Sequence, residues 1–280
     1  VKLKEALTHA REILDNQHIE DASLIAEVLL RHVLKIDRAR FYTELNTDLT
    51  EEQKQYYLKL VERRCTGEPT AYITGHREFY GLDFIVDRNV LIPRPETELL
   101  VEKALEFAGK HQVSTIADVG TGCGAIVISL VKNLAEDIKI YALDASDEAL
   151  EIAGKNCHEH GVSTSVELIR SDMLASLTES VDMIVANMPY FKTSELPVLG
   201  PLSFEPTLAL DGGETGLAAI EQICRQAFNK IRPGGSLLLE IGQGQAGDVR
   251  DILSGVFPAA VIEVYPDYAG IERVVAVYLT

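Results

Sequence analysis

An α/β protein with a doubly wound, mainly parallel sheet, preceded by a small all-helical N-terminal domain, is the fold class this sequence predicts. Three observations carry that expectation. Short β-branched apolar runs at 115–119, 138–143, 165–170, 181–186, 236–241, 260–265 and 273–279 alternate with helical segments, the pattern of a parallel sheet covered on both faces. A glycine-rich stretch, Asp118-Val119-Gly120-Thr121-Gly122-Cys123-Gly124-Ala125, follows the first run and opens a helix, as the first strand-to-helix turn of a doubly wound sheet does. Residues 1–70, by contrast, place their apolar side chains at helical spacing.

Taken in order, Leu3, Ala6, Leu7, Ala10 and Ile13 form one apolar stripe and Ala22, Ile25, Ala26, Leu29 and Val33 a second, predicting two amphipathic helices. Thr50-Glu51-Glu52-Gln53 is a capping box, in which the Thr hydroxyl and the Gln side chain satisfy free amides at a helix start. Tyr56, Tyr57, Leu60 and Val61 supply the apolar face of that helix, and Gly67 and Pro69 stop it. The helical domain is therefore placed at 1–70. Glu78 to Val86 reads as two short strands turning near Gly81, a linking β-hairpin within 71–92. Pro95 suits a first helical turn, where its missing N–H costs nothing, and Glu96 and Glu98 favour the positive helix end. That helix is expected to run to about Gly109, within a doubly wound domain at 93–280. Between Met188 and Glu214 lie Pro189, Pro197, Pro201, Pro206 and Gly212-Gly213 without periodicity; so long a loop inside a compact domain is usually a lid or a binding loop.

With 280 residues, 46% hydrophobic and 25% charged, the chain is long enough for a substantial core and is neither disordered nor fibrous in composition. Its 43 Asp and Glu exceed its 26 Lys and Arg, for a net charge of −17. A duplex would meet a repulsive far field, so direct nucleic-acid binding is not expected. No apolar run reaches the roughly 18 residues a membrane span needs. Cys65, Cys123, Cys157 and Cys224 are scattered, without C-x-x-C or zinc spacing, and no secretory leader is recognisable. The expectation is a cytoplasmic, monomeric protein with reduced thiols, no membrane partner and no metal site; the seven histidines form no metal or triad spacing.

The glycines of 120–124 would let backbone approach a nucleotide-like ligand closely. Gly120, Gly122 and Ala125 also satisfy the loose dinucleotide fingerprint, and Asp144, ending the second strand, could hold ribose hydroxyls of either NAD or S-adenosylmethionine. Asp172, ending the third strand, could accept from an adenine amino group while Met173 packs on the ring; an ordinary solvated turn would look the same.

The most informative segment is Val181-Asp182-Met183-Ile184-Val185-Ala186-Asn187-Met188-Pro189-Tyr190, an apolar strand that delivers Asn-x-Pro-aromatic at its carboxyl end, where ligands bind in such sheets. This suits chemistry on a planar nitrogen. An amide nitrogen is a poor nucleophile because its lone pair is delocalised into the carbonyl. Two acceptors aimed at its N–H bonds, the Asn187 side-chain oxygen and a main-chain carbonyl of 187–189, would orient it and favour the positive charge that develops as it attacks a methyl sulfonium. Tyr190 could stack on the flat group and exclude water. No general base is needed, since the nitrogen becomes acidic only after transfer and water can take the proton.

On Glu78 to Leu82, Val90 to Glu98, Asp118 to Ala125, Asn187 to Tyr190, Phe204-Glu205-Pro206 and Gly212-Gly213, the sequence resembles the HemK/PrmC release-factor glutamine methyltransferases over nearly its whole length. The resemblance implies a class I S-adenosylmethionine-dependent methyltransferase fold with a seven-stranded sheet. The activity it implies is methylation of N5 of the glutamine in the Gly-Gly-Gln motif of class 1 peptide chain release factors, leaving S-adenosylhomocysteine. It puts Gly120, Thr121, Gly122, Cys123 and Gly124 along the methionine and ribose of the cofactor, Asp144 on the ribose, and Met173 beside the adenine, where the residue reading also sets Asp172. Asn187 borders both cofactor and substrate, and Met188, Pro189 and Tyr190 complete the glutamine pocket, with Asn187, Pro189 and Tyr190 as catalytic residues. The family pattern is Asn-Pro-Pro-Tyr, so Met188 replaces a Pro and loses the rigidity of a fixed φ. Arg77, Arg94 and Glu98 are expected to form surface or linker ion pairs rather than to contact a ligand. Three other readings remain: an adenine-N6 methyltransferase of nucleic acid, which the charge disfavours; an NAD-dependent oxidoreductase, which leaves 187–190 unexplained; and a binding adaptor that has lost turnover through Met188.

Overall fold

The computed structural model describes residues 1–134 and 138–279. The chain divides into two compact units, one of residues 1–76 with 197–204 and the other of 77–196 with 205–280. The helical unit thus runs six residues past the sequence-based limit of 70 and takes in part of the long loop.

The helical unit holds α1 (Leu3–Asn16), α2 (Ala22–Leu34), α3 (Arg38–Thr43), α4 (Glu51–Cys65) and α5 (Thr70–Thr74). The capping box forms as expected: Gln53 N donates to Thr50 Oγ1 at 3.1 Å and Thr50 N donates to Gln53 Oε1 at 3.0 Å. Leu14, Leu29, Leu30, Phe41, Tyr57 and Leu60 are buried in its core, each contributing about 1.5–3 kcal/mol. The Tyr57 hydroxyl donates to the Ala26 carbonyl at 2.9 Å, as a buried phenol must find a partner. Tyr56, expected on the same face, is exposed. The short helices α3 and α5 go beyond what the sequence pattern predicts. Asp37 caps α3 by accepting from Arg40 N at 2.8 Å, and Pro69, which ends α4 in the sequence reading, also sits at the N-cap of α5.

Next along the chain is the expected hairpin, β1 (His76–Phe79) and β2 (Leu82–Ile85). Its turn residues Tyr80 and Gly81 both have positive φ, 52° and 72°, as a two-residue turn matching strand twist requires. Glu98 accepts from Tyr80 N and Glu78 from Gly81 N, at 2.8 and 2.7 Å. A 3-10 turn at Pro95–Thr97 leads into α6 (Glu98–Lys110). There follow β3 (Thr115–Val119), α7 (Ala125–Asn133), β4 (Lys139–Asp144), α8 (Asp147–Glu159), β5 (Val166–Arg170), β6 (Val181–Asn187), α9 (Ala218–Ala227), β7 (Ile231–Glu240), α10 (Ala246–Val256), β8 (Val261–Pro266) and β9 (Glu272–Tyr278).

All seven expected strands form one sheet of order β5-β4-β3-β6-β7-β9-β8, with only β9 antiparallel to its neighbours. β7 starts at Ile231, earlier than the sequence suggests; Pro233, Gly234 and Gly235 hide that start, since Pro removes a ladder donor and Gly weakens a strand. The register between β6 and β7 shifts at Val181/Met183 to absorb it. The order reverses direction at β3: β4 and β5 lie to one side, β6 and β7 to the other. Connections leaving β3 and β6 therefore diverge and open a crevice at the carboxyl ends of the strands.

Candidate active site

At the end of β3 the chain turns sharply. Gly120 N and Thr121 N both donate to the Leu143 carbonyl, at 2.8 and 3.0 Å, and Gly122 N donates to Asp144 Oδ2 at 2.8 Å. Ser146 N donates to the other carboxylate oxygen of Asp144 at 2.9 Å. Asp144 thus braces the turn with one lone pair of each oxygen and keeps the others for a ligand. Gly120 has φ +73°, and a Cβ there would sit 3.7 Å from the Asn187 carbonyl and 3.8 Å from Met188 Sδ. Any side chain would fill the gap between the two functional loops.

That gap is part of a cavity of about 670 Å³, bordered by Gly120, Gly122, Asp144, Asp172, Met173, Asn187, Met188 and Pro189. Eight sequence-predicted residues from four strand ends are thereby brought together. Met173 has φ +50°, a conformation costing on the order of 1 kcal/mol or more for a side chain with a Cβ. Asp172 is exposed and is approached by Gln222 Nε2 at 3.3 and 3.4 Å.

Four of the predicted residues do not border this cavity. The Thr121 hydroxyl donates to the buried Asp118 at 2.7 Å. Cys123 is buried, its thiol pushed up to about 12 by desolvation, and its carbonyl accepts from Asn156 Nδ2 at 2.8 Å. Gly124, φ +82°, is the N-cap of α7, where a Cβ would crowd Ile128 at 3.2 Å. These three shape the turn. Tyr190 is half-buried, stacked on Phe191 with ring centroids 5.5 Å apart; burial, with Glu240 nearby, pushes its phenol up to about 12.

Several neighbours carry no local sequence signal. Asn156 in α8 is fully buried, donating to Ile85 O and Cys123 O and accepting from Ile85 N, and so ties the hairpin to the glycine turn. Gln245 accepts from Gly242 N at 2.8 Å and donates to Tyr190 O at 3.1 Å and Gly216 O at 3.2 Å, clamping the Asn187–Tyr190 turn from behind. A Cβ on Gly212 would lie 2.7 Å from Pro189 O, so only glycine fits against that turn. The far rim is made by Arg88–Leu91 and by Pro206–Ala209 of the long loop. Arg94 pairs with Glu205, Arg77 donates to Pro93 O at 3.2 Å, and Glu98 holds the hairpin turn, so all three charged residues brace structure. Glu240, 2% exposed, lies opposite Asn187 in the β6–β7 register. Burial pushes its carboxyl up to about 7, against hydrogen bonding from Thr97, the charge of Arg273 and hydrogen bonding from Asn187.

The helical unit has a cavity of about 430 Å³ bordered by Leu7, Leu24, Glu27, Arg38 and Tyr42, but its carboxylate is already paired with Arg38 at 2.9 Å and with the Tyr42 hydroxyl at 2.7 Å. Among the described residues, no cluster of His, Cys, Asp and Glu could hold a metal ion, and no helix is long and apolar enough to cross a membrane.

The seven-stranded sheet with its switch at β3, the glycine turn there and the Asn-x-Pro-Tyr turn ending β6 define a class I methyltransferase. Solved structures share the fold: the hMettl16 catalytic domain with an RNA hairpin, at TM-score 0.57 and 15% identity over 81% of this chain and 82% of that one, and a T. thermophilus 16S rRNA methyltransferase with AdoMet and guanosine, at TM-score 0.53 and 18% identity over 73% and 50%. Family models match as the PrmC N-terminal domain over residues 5–75 and the Methyltransferase small domain over 95–198. Release factor glutamine methyltransferases of Moorella thermoacetica and Koribacter versatilis are each 40% identical to it, over 99% and 98% of this chain and 98% and 97% of theirs. The chain belongs to the release factor glutamine methyltransferase family.

Proposed function

We propose that this chain transfers a methyl group from S-adenosylmethionine to the side-chain N5 of the glutamine in the Gly-Gly-Gln motif of class 1 peptide chain release factors. The observation that carries the reading is Asn187 at the carboxyl end of β6, bordering the same cavity as the glycine turn and Asp144. The cavity suits such a cofactor: its size lies in the usual ligand range of about 300–1,000 Å³, its glycine cradle would be filled by a Cβ, and Asp144 and Met173 offer an acceptor and an apolar surface. When bound, S-adenosylmethionine supplies an electrophilic methyl group on a sulfonium.

This chain's residues supply the rest. Gly120 and Gly122 admit the ligand, Asp144 accepts from ribose hydroxyls, and Asp172 with Met173 receives the adenine; Thr121, Cys123 and Gly124 act by shaping the turn. The Asn187 side-chain oxygen and a carbonyl of 187–189 accept the two N–H bonds of the amide, fixing its nitrogen toward the methyl and favouring the positive charge it acquires. Met188 and Pro189 wall the pocket; Tyr190, expected from the sequence to complete it, instead stacks on Phe191 outside the cavity and steadies the turn. The proton then leaves to water. Release factor is the protein partner in this reading, the setting is the cytoplasm, and the working unit is a monomer.

Incubation of a release factor with this protein and S-adenosylmethionine, followed by peptide mass spectrometry, tests the proposal. The expected result is one added methyl mapped to the Gly-Gly-Gln peptide; methylation of DNA or RNA in a parallel tube, with release factor unmodified, would overturn it in favour of the adenine reading.

A further inference from the structure

We infer that Thr97 and Glu240 are positioning residues for Asn187, holding its carboxamide with the nitrogen turned inward and the oxygen turned to the substrate. This rests on the reading in which Asn187 grips the glutamine amide.

A carboxamide is nearly symmetric in shape, so packing alone cannot choose between its two flipped orientations; hydrogen-bond partners must. The choice matters, because a flipped Asn187 would point N–H donors at the N–H donors of the substrate. In the structure Asn187 Nδ2 donates to Thr97 Oγ1 at 3.2 Å. Thr97 is 5% exposed and ends the 3-10 turn of the Pro93 to Glu98 segment. Beside both stands Glu240, level with Asn187 on the neighbouring strand. Hydrogen bonding from Thr97 and Asn187 and the charge of Arg273 favour the ionised form of Glu240 against burial; in that form it can only accept, so it takes the Thr97 hydroxyl proton and leaves the Thr97 lone pairs for Asn187 Nδ2. With Glu240 ionised, reversal would set Asn187 Oδ1 against those lone pairs and a negative charge.

Stability alone does not account for Glu240. Its side chain is 2% exposed and its Oε2 has no hydrogen-bond partner, an arrangement that an apolar residue would avoid. Unsatisfied buried polar groups that persist beside a reactive residue usually reflect the site rather than the fold. The inference also gives the Pro-Arg-Pro-Glu-Thr-Glu segment a chemical task, since it carries the hydroxyl that anchors Asn187.

The test compares wild type, Thr97→Val, Thr97→Ser and Glu240→Gln as full-length proteins, with release factor as methyl acceptor and S-adenosylhomocysteine binding by calorimetry. Thr97→Val is nearly isosteric and should lower kcat by roughly tenfold or more, with KM and S-adenosylhomocysteine affinity changed by much less. Thr97→Ser restores the hydroxyl and should recover most of the rate. Glu240→Gln, which can donate to Thr97 and so permits reversal, should also lower kcat. Unchanged kcat in Thr97→Val and Glu240→Gln overturns the inference, as does Thr97→Ser performing no better than Thr97→Val, or equal losses in kcat and ligand affinity. A readout independent of the substrate separates this from failure of the glutamine reading. The side-chain NH₂ signal of Asn187, assigned by its loss in Asn187→Ala, should be protected from hydrogen exchange in wild type and unprotected in Thr97→Val. Absence of protection in wild type overturns the positioning role whatever the methyl acceptor proves to be.

Discussion

Arg94 and Glu205, 111 residues apart in the chain, form an ion pair whose carboxylate is almost fully buried and also accepts from Ile92 N at 3.1 Å. The pair fastens the segment after the hairpin to the start of Pro206–Ala209, and both run into cavity rims. The two partners are not equivalent. Arg94 keeps 30% of its side chain in solvent, whereas Glu205 keeps 2%. Arg94→Ala therefore strands a buried negative charge and should cost about 3 kcal/mol of stability or more. Glu205→Ala releases an arginine that can turn to water and should cost less. Urea unfolding of the two variants checks the order; equal or reversed losses would show that the pair does not anchor the loop as described.

Asp182, at the opposite end of β6 from Asn187, is a separate acid-sensitive brace. Its Oδ2 accepts from the backbone and hydroxyl groups of Ser114 and Thr115 at 2.8–3.0 Å, and Arg232 lies 2.9 Å from Oδ1. Burial works to raise its pKa, but those hydrogen bonds together bring it down to about 2. A depressed carboxyl contributes stability that is complete above its unfolded value, near 4, and is lost as pH falls through the folded one. Asp182→Asn should thus lower stability at neutral pH by on the order of 2 kcal/mol and flatten its dependence between about pH 4 and 2. Denaturant midpoints across that range measure it, and parallel wild-type and variant curves would refute it.

Asp144 and Asn187 border one cavity, and in the proposed function they serve different steps, which mutation should separate. Asp144 accepts from Gly122 N and Ser146 N and in the proposed function also accepts from the cofactor ribose. Asp144→Ala should weaken S-adenosylhomocysteine binding roughly ten- to a hundredfold, the scale of one or two charge-assisted hydrogen bonds. Asn187→Ala removes an acceptor whose contact strengthens as charge develops, so the methyl-transfer rate should fall roughly a hundredfold or more while ligand binding changes little. Calorimetry beside single-turnover kinetics distinguishes the two, and equal losses in both quantities for Asn187→Ala would assign it a structural role.

The contrast between what the sequence displays and what it hides follows from range. The glycine turn, Asp144 and the Asn187 turn are visible because each stands at a strand end, where a local apolar run meets Gly, Asp or Asn-x-Pro. The capping box at Thr50 is legible for the same reason, four adjacent residues containing the whole motif. Asn156, Glu205, Glu240 and Gln245 act across 71, 111, 53 and 55 residues respectively. In the sequence they are polar residues in or beside regular elements, and only the sheet order brings them behind the site. Thr121, Cys123 and Gly124 show the converse: a contiguous motif is legible as a unit, yet within 120–124 only Gly120 and Gly122 border the cavity.

Met188 is where this chain departs from the Pro of the family pattern, and Gln245 supplies part of the rigidity that the Pro would bring. Met188 is 7% exposed and its φ is not in the left-handed region, so one bar to a Pro is absent there, and the substitution loses some thioether packing. The turn it belongs to is already held at its far end by the Gln245 bonds to Tyr190 O and Gly216 O. Met188→Pro should therefore raise the methyl-transfer rate, but by less than about tenfold, because ring closure removes freedom that the clamp has partly removed already. Gln245→Ala should lower the wild-type rate by freeing the Tyr190 carbonyl. If both residues act on the same freedom, Met188→Pro must recover more activity in the Gln245→Ala background than it adds to wild type, a positive coupling that a double-mutant cycle measures directly. Additive effects would mean that turn rigidity and the clamp are independent, and an unchanged or lower rate for Met188→Pro alone would show that the missing ring does not limit this enzyme.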